Sequence, residues 1–375
     1  MICAGCLDPY YPPASTQRLN ALVVDGYVDI NGNASVKLSR SIPLDEFGTF
    51  PPESNAIVTI ETSEGDKMPL LEEKDATYTA SGISVSYNST YKLNIVTSGG
   101  QEYESDPTQI YPTPKIDSIY FTIAGSGAAI EVRIDANNTN PNSTRYYAVD
   151  GDETYEYHAS AISLYKLVNN VAVYRSDEEQ VYYCWRDLQA SPAVISTNRL
   201  SANVVKGGVI AIIGRDDNRL HVRYSDLVKL RSIGEDEYNY LNQVIKTSEQ
   251  QGSLWSVIPS RFVGNVHNIA DRDEYVLGFF SGREITQRRF FVDRFDLPSG
   301  FGGPQPEGCQ AESTCALVEG IVSPPNCINV EDIGRSVIVA ITADAAGTPL
   351  YYKYVQAQCG DCTSLGGYTK RPAFW

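Results

Sequence analysis

Only three histidines occur in these 375 residues, basic side chains are outnumbered by acidic ones 30 to 46, and no long apolar run is present. Each shortage excludes something. A helix that crosses a bilayer needs roughly 18 or more consecutive apolar residues, so no membrane-spanning helix is expected. A formal charge of -16 opposes binding to nucleic acid, which requires a basic surface to displace counterions from phosphate. The histidines are scattered. His158 sits among Tyr155, Glu156 and Tyr157, His221 in an alternating stretch with Arg219 and Arg223 that reads as a strand, and His267 in a loop beside Asn265 and Asn268. Nucleophilic catalysis needs a Ser or Cys with a base in hydrogen-bond reach, and no Gly-x-Ser-x-Gly elbow supplies one. The glycine cluster Gly300 to Gly303 follows no α/β unit and runs into Pro304, so no phosphate-binding loop is read there. The expectation is a protein that is not an enzyme and needs no cofactor.

Cysteine, by contrast, is plentiful: Cys3, Cys6, Cys184, Cys309, Cys315, Cys327, Cys359 and Cys362. Ala4-Gly5-Cys6 reads as the end of a lipoprotein signal, with Cys6 the acylated residue. Only five residues precede Cys6, so most of such a signal is read as missing. Setting Cys3 and Cys6 aside leaves six cysteines, an even set suited to three disulfides whose pairing the sequence leaves open. Disulfides persist outside the cytoplasm, which agrees with an exported, membrane-attached protein. Cys359-Gly360-Asp361-Cys362 with Cys309 or Cys315 and Cys327 could instead hold zinc. The Cys309 to Cys315 spacer is too long for that pattern, so disulfides are favoured and no metal is expected.

Strand signals fill the chain. Ala21 to Ile30, Ser35 to Arg40, Ala56 to Thr62 and Tyr91 to Thr97 alternate apolar and polar residues or are rich in Val, Ile and Tyr, with Gly/Asn/Asp/Ser clusters between them. They predict a β-sandwich over 20–115, after a signal remnant and tether at 1–19, closed by Tyr111-Pro112-Thr113-Pro114. A second β-rich region is read over 116–298, from strands beginning at Ile116, Ala129, Tyr146, Tyr155, Val171, Val181 and Val209 to Tyr275–Phe280 and Phe290–Phe295. One helix interrupts it near 235–251, opening on Glu235-Asp236-Glu237 where the helix dipole favours acids. Asp150-Gly151-Asp152-Glu153 lacks the spacing of a calcium loop and reads as a solvated turn. A Gly- and Pro-rich linker leads to a cysteine-rich module at 299–375.

The order of short motifs resembles a known family. Those motifs include Cys6-Leu7-Asp8-Pro9-Tyr10, Leu22-Val23-Val24-Asp25-Gly26, Glu102-Tyr103-Glu104-Ser105, Cys184-Trp185, Gln251-Gly252-Ser253-Leu254-Trp255, Leu277-Gly278-Phe279-Phe280-Ser281, and the ending from Cys359 to Trp375. The chain resembles a group of Bacteroidota outer-membrane lipoproteins known only as a domain of unknown function and often encoded beside TonB-dependent transporters. The resemblance implies a lipid-anchored, cell-surface or periplasmic protein with an immunoglobulin-like N-terminal module, and it carries over no catalytic residue.

Aromatic residues are the remaining signal, with 25 tyrosines against 11 phenylalanines. Most will pack across strands, but Tyr155, Tyr157, Trp185, Trp255, Phe374 and Trp375 are candidates for a recognition surface, since such surfaces favour Tyr and Trp. A terminal Phe374-Trp375 would fray unless docked on its own body or on a partner. The leading functional reading is a lipid-anchored accessory or ligand-binding protein of an outer-membrane complex, with a TonB-dependent transporter or other barrel as partner. The alternative is an independent surface protein that binds a glycan or peptide. An envelope hydrolase comes third and would require one of the histidines beside a Ser and an acid.

Overall fold

The computed structural model describes residues 20–42, 48–140, 143–168, 171–250, 264–303, 309, 313–318, 321–322, 336–346 and 349–375. The N-terminal strands are β1 (Leu22–Asp29), β2 (Ala34–Arg40), β3 (Ile57–Thr62), β4 (Lys67–Glu72), β5 (Thr77–Ala80), β6 (Thr90–Val96), β7 (Glu102–Ser105) and β8 (Thr108–Gln109). Strict alternation along them sends Leu22, Val24 and Val28 inward to meet Tyr91, Leu93 and Ile95, all buried. A single strand joins the two layers: the first part of β4 pairs with β3, and Leu71 and Glu72 pair with β5. The predicted sandwich is therefore closed by a strand that changes sheets.

The second region contains β9 (Ile116–Ile123), β10 (Ala129–Asn137), β11 (Tyr146–His158), β12 (Tyr165–Val168), β13 (Val171–Tyr174), β14 (Tyr183–Gln189), β15 (Ala193–Ser196), β16 (Val204–Gly214) and β17 (Arg223–Ile233). Helix α1 (Glu235–Gln250) follows, then β18 (Val266–Asn268), β19 (Leu277–Arg283) and β20 (Ile285–Asp293). A sheet ordered β16-β10-β9 faces another ordered β14-β11-β17-β20, with β15 also on β11. Val132, Ile134 and Ile213 from one meet Tyr147, Tyr224 and Leu230 from the other in one core. Two sequence readings change here. Asp150 to Glu153 is not a solvated turn but the middle of the 13-residue β11, with all four residues paired to β17 and Glu153 only 2 % exposed. His221 lies at the end of a 3-10 turn, Asn218–Leu220, rather than in a strand.

Chain order and spatial order part at β18 and β19. Sequence reading placed 275–280 with the second region, yet β19 runs parallel to β1 and β18 pairs with β7, so both complete the first sandwich. Phe280, fully buried, belongs to the first core. The reason is continuity: β19 passes through Glu284 straight into β20, so one extended segment carries a strand in each sandwich. The Tyr111–Pro114 linker is tied down beside it. Thr113 N donates to Glu284 Oε2 at 2.6 Å, Thr113 Oγ1 donates to the Glu284 carbonyl at 2.8 Å, and Ser232 Oγ donates to the Pro112 carbonyl at 3.0 Å. Two crossings bonded to one another leave little freedom for a hinge.

The C-terminal module holds β21 (Ser313–Val318), β22 (Ile321–Val322), β23 (Ser336–Ala343), β24 (Pro349–Gln356) and the one-turn α2 (Ala357–Gly360), in the sheet order β22-β21-β24-β23. The β12–β13 hairpin packs on it through Tyr165 and Ala172. Disulfides Cys184–Cys362 and Cys309–Cys359 staple it. The fold is thus mainly β with a disulfide-stapled C-terminal segment, as the sequence predicts. Cys315 lies on β21, and Cys327 is outside the described residues.

Candidate functional site

Of the sequence-predicted residues, Tyr155, Tyr157, Cys184, Trp185, Cys362, Phe374 and Trp375 assemble in one place, and that place is a packing site. Cys184 follows Tyr183 on β14 and ties to Cys362, whose carbonyl accepts a 2.7 Å bond from the buried Tyr157 hydroxyl. Tyr155 and Trp185 are buried as well. Beyond the disulfide, Tyr368 forms a two-way backbone bridge with Trp185 at 2.9 Å. Trp375 Nε1 then donates to Glu156 Oε2 at 2.9 Å, with its ring edge-on to Trp185 and Phe291. The Arg289 guanidinium lies 3.6 Å from the Phe374 ring centre, leaving Phe374 partly exposed. The tail is therefore pinned to its own second sandwich, one of the two arrangements the sequence allowed. Cys6 and Trp255 are outside the described residues.

The histidines remain apart. His158 Nε2 meets Glu156 Oε1 at 2.8 Å, His221 Nδ1 meets the Gly302 carbonyl at 2.9 Å, and His267 Nε2 meets Glu104 Oε1 at 3.2 Å. Two of them have an acid neighbour, but the bonds described for the three rings include no serine hydroxyl.

A second cluster, unforeseen in the sequence, is buried in the second core. Glu153 of β11 accepts two bonds from Arg219 Nη1, at 2.9 and 2.7 Å, and one from the Tyr224 hydroxyl at 2.9 Å. Opposite it on β17 is Asp226, 3 % exposed, whose Oδ1 has no hydrogen-bond partner. Burial first, and then the charges of Glu153 and Asp152, push the Asp226 carboxyl up to about 7. Gly151 makes room for it, since a Cβ there would lie 2.2 Å from Asp226 Oδ1. Among the described residues no group of His, Cys, Asp and Glu is arranged to hold a metal.

The open site lies where the two sandwiches and α1 meet. Its floor is the parallel pair β1 and β19, which aligns Val23 with Leu277 and Tyr27 with Ser281. The strands approach closely at Gly278, whose φ is +104°; a Cβ there would fall 1.8 Å from the Val24 carbonyl oxygen. Helix α1 covers one side because Glu237 of its first turn is anchored by an ion pair to the buried Arg231 of β17. Together they enclose a cleft of about 470 Å³. Its walls are largely apolar, from Val23, Tyr240, Leu241, Val244, Leu277 and Phe279, with the Tyr240 and Phe279 rings 5.4 Å apart. Burial raises the Tyr240 hydroxyl above its ordinary pKa, and the charge of Asp25 adds to this.

Two arginines line the cleft in different states. Burial works against the Arg231 charge, but Glu237 and then Asp150, 3.5 Å from its Nε, outweigh that and raise its pKa. Arg283 is less well matched. Its Nε donates to Ser281 Oγ at 2.8 Å, its guanidinium lies 4.5 Å from the Tyr27 ring centre, and Asp25 Oδ1 is 3.8 Å from its Nη2. Burial, followed by the like charge of Arg231, lowers its pKa.

None of these residues was singled out by chemistry in the sequence, because they come from segments some 200 positions apart. A signal existed all the same. The Leu22 to Gly26 and Leu277 to Ser281 segments, two of the motifs carrying the family resemblance, are the paired strands of the cleft floor. No curated protein matches the chain. A family model does match residues 8–289, a span containing every residue that lines the cleft and omitting the stapled C-terminal module. With most of its length so matched, the chain belongs to the family described as a domain of unknown function (DUF4249).

Proposed function

We propose that this protein is an exported, lipid-anchored binding protein without enzymatic activity, serving as an accessory of an outer-membrane complex, and that the junction cleft receives its ligand. The cleft carries this reading. It is concave, mostly apolar with a few converging polar groups, and within the usual size range for small-molecule sites. It spans two sandwiches tied together by paired crossings, so it is preorganised and a ligand loses little to reordering of the protein. The Ala4-Gly5-Cys6 motif and two disulfides support an envelope location. The acidic charge suits a soluble body held at a surface. A TonB-dependent transporter is the partner proposed from the resemblance.

The test is affinity capture from detergent-solubilised membranes of cells expressing the protein with a complete signal, beside a Cys6→Ser variant. Acylated Cys6 and a co-purifying barrel protein are expected, with the variant released to the soluble fraction, since stable attachment rests on acyl chains. An unmodified N-terminal peptide spanning Cys6 would remove the anchor. Anchoring with no barrel captured would return the independent surface binder of a glycan or peptide.

A further inference from the structure

The cleft's charges differ in how far they are used, and this difference points to a ligand. Arg231 is committed to Glu237 and Asp150. Arg283 has five N–H donors, of which the described contacts engage one in a hydrogen bond, to Ser281. Of the carboxylates whose charge reaches it, Glu237 and Asp150 pair with Arg231, and Asp25 stands beyond hydrogen-bond distance and is itself 80 % exposed, so solvent screens it. The guanidinium is nevertheless only 24 % exposed and packed against Tyr27. A cation held in low dielectric with unfilled donors attracts an acceptor strongly, and a planar fork matches a carboxylate with two parallel bonds.

The remaining surface limits what can accompany that carboxylate. The walls from Leu241, Val244, Leu277 and Phe279 offer apolar contact and little else. Glu237 and Asp25 also face the cleft, and with Arg231 and Arg283 the four ionic groups balance to zero. One negative charge can be met by Arg283, whereas a second would be repelled by the two acids.

We infer that the junction cleft binds a small monocarboxylate with an apolar body, its carboxylate gripped by Arg283 and its body laid between α1 and β19. This rests on the binding role proposed above and names the chemical class of ligand. Arg283 reads the charge, and the walls read the size.

Decanoate is a suitable probe and decanol its uncharged counterpart, both titrated calorimetrically into the full-length protein. Decanoate is expected to bind at least about tenfold more tightly than decanol. Arg283→Gln should lose that difference, and Arg283→Lys should retain part of it because the charge remains while the fork is lost. Asp25→Asn should move the other way and tighten decanoate, since it removes a competing acid; a merely structural Arg283 would not respond to it. Equal binding of the two probes by the native protein, or no binding of either, overturns the inference, as does unchanged decanoate affinity in a folded Arg283→Gln variant. Membrane capture run on Arg283→Gln separates the two ideas. A barrel still co-purifying while carboxylate selectivity is absent removes the ligand class and leaves the accessory role; selectivity without a barrel does the reverse.

Discussion

The two sandwiches share an apolar core and differ in whether acids are buried within it. In the first, the buried side chains are aliphatic, aromatic or neutral polar, such as Ser105 and Asn265, and the polar ends of Tyr78 and Tyr91 reach loop backbone at the rim, Tyr78 donating to the Glu53 carbonyl at 2.9 Å. In the second, the same kind of apolar cluster surrounds Glu153, Arg219 and Asp226. An apolar core derives its stability from area and packing, which are nearly insensitive to pH. A core holding carboxylates derives part of its stability from proton occupancy, so its stability depends on solution conditions. Among the described residues, one sandwich buries no acid in its core and the other does, and the two are locked together at the cleft.

The largest effect that would sharpen this contrast lies in the sandwich whose core buries no acid. Phe280 is fully buried and is delivered from β19, some 250 residues beyond the strand it packs behind. Phe280→Ala should cost about 4 kcal/mol in chemical denaturation, at any pH from mildly acid to mildly alkaline. It should also reduce probe binding in the cleft, whose floor includes the neighbouring Phe279. A loss below about 1 kcal/mol would mean that β19 is not integral to the first core.

The same contrast governs what the sequence made legible. Strands β1, β2, β3 and β6 were readable to within a residue or two because period-2 alternation has one physical cause there, an apolar face against a polar one. Strand β17 is missed beyond its first residue, since the strand read around His221 extends only to Arg223. Asp226, Lys229 and Arg231 interrupt its apolar pattern: Lys229 and Arg231 pair with Asp152 and Glu237 from other segments, while Asp226 faces the like charge of Glu153 with Arg289 and Lys229 opposing it. For β11 the error was sharper. Asp-Gly-Asp-Glu carries every local mark of a turn, and only the opposing Asp226 explains why Gly151 is needed within a strand. The cleft was illegible for a related reason: Asp25, Arg231, Glu237 and Arg283 become neighbours through the parallel β1–β19 pairing, and nothing local announces such a pairing. The tail was read better. Its two aromatics were expected to dock, and they do.

The middle-sized prediction tests the titratable core directly. Asp226 has a folded pKa near 7 against an ordinary value of 3.8, with Glu153 and Asp152 raising it and Arg289 and Lys229 opposing them. A raised folded pKa means the native state holds the proton more tightly than the unfolded chain. The associated stability is complete below about pH 4 and is lost as pH rises towards about 7. Asp226→Asn keeps the shape without the charge. It should flatten this dependence and exceed the native protein in stability near pH 8 by on the order of 3 kcal/mol, measured by urea denaturation across the range. A native protein whose stability is level from about pH 5 to 8, with a less stable Asn variant, would make the two cores alike after all.

The smallest effect has the opposite sign with pH and sits where the C-terminal tail meets the second sandwich. Burial alone would raise the Glu156 pKa, but the bonds from His158 and then Trp375 outweigh it and hold the carboxylate below its ordinary value. A depressed folded pKa contributes stability that is present above the unfolded value and disappears as pH falls through the folded one. Trp375→Phe preserves an aromatic ring against Trp185 and Phe291 while removing the indole N–H that donates to Glu156. It should therefore cost about 1 kcal/mol at neutral pH, with the deficit shrinking towards about pH 3 as Glu156 is protonated in both proteins. The contact is intramolecular, so capture of a membrane partner should be unchanged. A variant that retains its stability but no longer captures that partner would instead make Trp375 an interface residue and turn the tail outward.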